Sequence, residues 1–158
     1  MMTELLHTYL QDHHAGAVSG VALFRRVAEN HSRAEVRTAV ARLAEDIEED
    51  KKLLEELMNQ VGASPSLVKD SGARVAEVAG QLKPNQRFKD RSPLSDLLEL
   101  EALTAAVMAK RLGWRALLGL ADPRLSTEAL ERLLERAISQ GQELDELHVG
   151  CADVLRER

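Results

Sequence analysis

Aromatic residues make up only 3% of this 158-residue chain: one Trp, one Tyr and two Phe. Strands favour aromatic and β-branched side chains, so that scarcity speaks against a sheet-based core. A single cysteine, Cys151, excludes an intramolecular disulfide and suits a small core residue in a reducing compartment. No stretch approaches the roughly 20 apolar residues a membrane helix needs. The opening Met-Met-Thr-Glu-Leu-Leu-His-Thr lacks the basic start and apolar run of a signal peptide, so a cytoplasmic protein is expected. A net charge of −5 offers no global basic field, and nucleic acid is not an expected partner. Nucleophilic triads, phosphate loops, dinucleotide fingerprints and zinc-type cysteine patterns are all missing.

What the chain has is helix. With 44% hydrophobic and 30% charged residues it is long enough for one domain, 1–158, with its own core. Four apolar stripes with alternating steps of four and three keep their residues on one helix face. They run Leu6-Leu10-His13-Ala17-Gly20-Phe24-Val27, Val36-Val40-Leu43-Ile47-Asp50-Leu54-Leu57-Val61, Leu98-Glu101-Ala105-Met108-Leu112, and Leu130-Leu134-Ala137-Gly141-Leu144-His148-Cys151-Leu155. Each is broken by an ionisable residue: His13, Asp50, Glu101 and His148 are expected to point inward.

Punctuation sets the boundaries. Helices are expected over about 3–29, 33–61, 93–120 and 125–156. Ser32-x-x-Glu35 reads as a capping box, Gly62 as a left-handed terminator and Ser92-Pro93 as a cap with a first-turn proline. Asp122-Pro123 or Ser126 starts the last helix. Two antiparallel hairpins are thus joined by a long segment, 62–92, expected to hold one short or broken helix after Ser64-Pro65 and to cross the bundle. The third helix has a second apolar side, Leu100, Leu103, Val107, Trp114 and Leu118, to be covered by that segment or by the partner in a homodimer.

This all-α plan, with acids and histidines at interior positions, resembles the ferritin-like superfamily of four-helix bundles. The resemblance covers nearly the whole chain as architecture and little of it as motif. Its di-iron members take a Glu from one helix of each pair and a Glu-x-x-His from the other. Here Glu101 and Asp145-x-x-His148 form an altered half of that set, Asp46 and Asp50 supply carboxylates without a histidine, and His13 stands where a Glu would be. The resemblance therefore implies a candidate metal set of His13, Asp46, Asp50, Glu101, Asp145 and His148, suited to a divalent transition metal such as iron, manganese or zinc. The same residues can instead form buried ion pairs. Register along a crossed bundle brings Asp46 and Asp50 towards Lys110, Arg111 and Gln140, and Glu101 towards Arg25, Arg26 or Arg37. His13 is then level with Asp50, and Glu101 with His148. A crossover separates these two pairs by roughly 10–20 Å, whereas a connector that folds back merges them into one site.

Other features read more simply. His7 and His14 fit a surface stripe, and His31 an exposed turn residue. Lys83, Arg87, Lys89 and Arg91 around Phe88 are the one basic patch, read as the solvated end of the connector. Gly16 and Gly20 suggest close packing against a bulky neighbour such as Trp114. The expected function is a non-catalytic bundle protein acting through its surfaces, with a metal-carboxylate storage or redox protein as the alternative.

Overall fold

The structure, a computed structural model, describes residues 2–65 and 91–156. Those residues form four long helices and no strand. They are α1 (Met2–Asn30), α2 (Ala34–Gln60), α3 (Pro93–Leu120) and α4 (Thr127–Gly150), followed by a 3-10 turn at Ala152–Arg156. The short or broken helix expected after Ser64-Pro65 and the basic patch up to Lys89 lie outside the described residues.

The boundaries follow from local chemistry. Ser92 Oγ accepts from Leu94 N at 3.2 Å, with Pro93 in the first turn of α3. Ser126, rather than Asp122, caps α4 by accepting from Ala129 N at 3.2 Å. Gly62 takes the left-handed conformation just beyond α2, with φ of 76°. The capping box is not formed: α2 is capped by Arg33 without a side-chain bond, because the Ser32 hydroxyl is bonded to Asp96.

α1 packs against α2 and α3 against α4, with α1–α3 the main contact between the hairpins. His7 Nε2 donates to the Val61 carbonyl at 2.9 Å and Arg124 Nη1 to the same oxygen at 3.4 Å. The start of α1, the end of α2 and the α3–α4 turn therefore share one end of the bundle. At the other end Asp96 bonds Ser32, and Arg33 bonds the Gly150 carbonyl at 2.8 Å. Pro65 and Arg91 accordingly lie at opposite ends.

The α2 stripe is buried from Val36 to Val61 without exception. α3 reverses the expectation. Leu100, Leu103, Val107 and Trp114, assigned to a face for the connector or a homodimer partner to cover, are 0–3% exposed within a single chain, and Leu118 packs in the same cluster as Trp114. Leu98, Met108 and Leu112, assigned to the core, are 39%, 47% and 50% exposed. Periodicity cannot rank two apolar faces of one helix. The buried choice hides Trp114 and leaves Glu101 in solvent, where its charge costs little.

Candidate functional site

The core is split in two. One apolar cluster gathers around Phe24, Leu43 and Leu103, the other around Leu10, Met58 and Trp114. Between them lies a polar layer: Asp50 from α2, Lys110 from α3, and Gln140 and Arg136 from α4. Asp50 is 1% exposed. Its Oδ1 accepts from Arg136 Nε at 2.7 Å, and its Oδ2 from Lys110 Nζ at 2.6 Å and Gln140 Nε2 at 3.1 Å. Lys110 also donates to Gln140 Oε1 at 2.5 Å. Burial pulls the Lys110 ammonium below its ordinary range, against the opposing pull of Asp50. Burial also opposes the Arg136 charge, but its bonds to Asp50 and Glu49 outweigh it and leave the guanidinium above its ordinary value.

On the side of this layer, α1 places His13 in the lining of an adjoining cavity. Along the same stretch it presents Gly16, Ala17 and Gly20, and the cavity, of about 450 Å³, opens between α1 and α3. Leu10, Phe24, Leu54 and Trp114 form its apolar walls, with Asp50 and Lys110 among its few polar residues. Nothing lies within 4 Å of where a Cβ on Gly16 or Gly20 would stand, so neither glycine packs against Trp114 as its spacing suggested. Gly113 is the close-contact glycine instead: a Cβ there would meet the His13 ring at 2.9 Å. That ring stacks edge-on against Tyr9, with centroids 4.6 Å apart. The contrast is measurable. Gly16→Ala and Gly20→Ala should each raise unfolding free energy by about 1 kcal/mol through helix propensity. Gly113→Ala should lower it, since displacing His13 costs roughly 1–3 kcal/mol, more than propensity returns. Urea denaturation of the three variants checks the signs.

The six candidate metal ligands fall in separate places. His13 and Asp50 line the same cavity. Glu101 and His148 form a surface pair at 3.0 Å, their side chains 51% and 33% exposed. Glu101 sits nine residues before Lys110 on α3, about 13 Å along the axis from the polar layer. Asp46 approaches Arg42 at 4.0 Å, and Asp145 is exposed. Among the described residues no three His, Cys, Asp or Glu side chains are placed to hold a metal ion.

Of the ion-pair partners expected from the register, Lys110 and Gln140 meet Asp50. Arg111 does not: its Nε is buried with no hydrogen-bond partner among the described residues. Arg25 pairs with Glu48, and Arg37 Nη1 donates to the His31 and Ser32 carbonyls at 2.6 and 3.0 Å, so neither reaches Glu101. Arg136 went unread, although it stands one turn before Gln140 on the same face.

A second buried polar cluster closes the end near the first turn. Asp96 and Glu99 are 2% and 3% exposed and share Arg91, whose Nη2 reaches Asp96 Oδ1 at 2.6 Å. Burial works to raise the Asp96 carboxyl, but Ser32 and Arg91 hold it below the usual range. His31, expected in solvent, is 1% exposed. Its Nδ1 accepts from Arg33 N at 3.2 Å, which leaves the proton on Nε2, 3.9 Å from Asp96. Burial pushes this imidazole below 6.5 despite the neighbouring carboxylate.

No family model matches this chain, and neither a curated protein nor a solved structure does. Among the described residues no helix is long and apolar enough to cross a membrane.

Proposed function

We propose that the chain is a non-catalytic, ferritin-like bundle protein that acts through protein–protein contact, with residues between Pro65 and Arg91 crossing the length of the bundle. The crossover is supported by the placement of those two residues at opposite ends. The contact surface is the outward face of α3, and one observation carries it: Leu98, Met108 and Leu112 stand 39–50% exposed on one side of a helix whose other exposed leucines, Leu94 and Leu120, sit at its two ends. Successive steps along that helix make them a ridge with Ala105, and a ridge suits a second, antiparallel copy across a twofold axis.

Light scattering at micromolar concentration should therefore return a dimer. Met108→Glu with Leu112→Glu should give a folded monomer, because within a single chain both side chains stand half in water. A monomeric native chain would remove the reading. The metal-carboxylate alternative retains only the Glu101–His148 pair among the described residues. Stoichiometric Fe(II), Mn(II) or Zn(II) retained after loading and gel filtration, and lost in Glu101→Ala, would favour it.

A further inference from the structure

The polar layer is charged, its hydrogen bonds come from three helices, and on the α1 side it borders a cavity that His13 also lines. We propose that the groove between α1 and α3 binds a single-chain amphipathic carboxylate, its hydrocarbon lying along α1 and its head group on the Lys110 ammonium. This goes beyond the protein–protein reading and does not depend on it, since Leu98, Met108 and Leu112 do not line the groove, although Ala105 borders both surfaces.

Shape is the first argument. At about 450 Å³ the cavity falls within the range of small-molecule sites, and its lining is mainly apolar with few polar groups. It runs from Tyr9 to Phe24 along α1, a length of about 22 Å at the helical rise, between two helices that restrict its width. A long, narrow, apolar space fits one extended chain better than a compact ring system. The glycines are the second argument. Gly20 is buried, yet a Cβ on it would touch nothing within 4 Å, so it faces empty space inside the protein envelope. Neither it nor Gly16 has a positive φ that would require glycine. Two mid-helix glycines carry a propensity cost of about 1 kcal/mol each that no contact among the described residues explains. Clearance for a bound chain explains it.

Charge selects the head group. Among the described groups lining the cavity, Asp50 is the one carboxylate against two lysines, Lys110 and Lys51. Arg136 turns its other side to Glu49 at 2.9 Å and Lys51 approaches Glu55 at 3.9 Å, while Lys110 lines the cavity beside Asp50. An ammonium has three N–H donors. Among the described residues, those of Lys110 have two acceptors, Asp50 and Gln140. A carboxylate takes the third and adds a negative charge beside the two lining lysines. A cationic or neutral head would not.

Dodecanoate titrated calorimetrically into the full chain, with dodecan-1-ol as the neutral control, tests the site. The expected result is one dodecanoate per chain at micromolar affinity, with the alcohol at least about tenfold weaker, a factor worth about 1.4 kcal/mol. Gly20→Leu fills the groove from a position with room for it, and should fold normally and lose binding at least tenfold. Lys110→Met should weaken dodecanoate and leave the alcohol unchanged; Gly20→Leu decides the matter if that variant does not fold. No uptake by the native chain, or undiminished uptake by Gly20→Leu, overturns the site. Equal affinity for acid and alcohol overturns the head-group assignment. If Gly20→Leu instead converts a dimer to monomer, a second copy occupies the groove and the ligand proposal falls, while the protein–protein reading stands.

Discussion

Asp50→Ala should cost about 3–5 kcal/mol of folding free energy, the largest single effect expected outside the apolar core. The reason is what remains. Lys110 and Arg136 would keep their charges, with side chains only 17% and 30% exposed, and lose the carboxylate that both contact. Gln140 would lose one of its two partners in the layer. Removing both sides of the strongest contact should hurt far less. Asp50→Leu with Lys110→Met replaces a buried pair by apolar groups of similar reach, which is often neutral or better, and Arg136 can still turn to Glu49. Urea denaturation of the single and double variants gives the coupling directly. A loss under about 1 kcal/mol for Asp50→Ala would mean that water reaches the layer freely.

Arg91→Met should have a cost of the same order, about 3–5 kcal/mol at neutral pH, because it leaves Asp96 and Glu99 buried together without their shared cation. The penalty should shrink in acid, as the stranded carboxyls take up protons. In the native chain the pH dependence has two parts. His31 is held below 6.5, so as pH falls through that value the unfolded chain binds a proton that the folded chain refuses, and stability drops. Asp96 is held below 3.8, so its contribution is complete above that value and is lost as pH falls through its lower folded value. His31→Gln should abolish the first decline and leave the second. Denaturation midpoints measured on either side of pH 6.5 separate them. A native profile flat through that range would show that His31 titrates alike in both states.

Legibility varied between helices for identifiable reasons. α2 has one apolar face, and every residue placed on it is buried, Asp50 included. α3 has two, and its spacing alone could not say that Trp114 goes in and Met108 stays out. The pairing of Asp50 with Lys110 and Gln140 followed from counting residues from the turns, because antiparallel helices of equal rise fix each other's levels. Arg136 escaped that count because a guanidinium on a long stem reaches across a full turn. His31 looked like a turn residue in water. Its burial depends on Asp96 and Arg91, which belong to the far hairpin and have no local signature near residue 31. Gly16 and Gly20 were visible as an anomaly but not as a void, since an empty space has no letter in a sequence.

The chain by itself determined that four long helices form and pair through short turns, since those depend on periodicity and local punctuation that act within a few residues. Only the tertiary structure decided which side of α3 faces inward, where the buried charges find partners, and that α1 leaves a gap beside them. Those outcomes depend on what four helices can hide together, a comparison of whole packings that no single stretch contains.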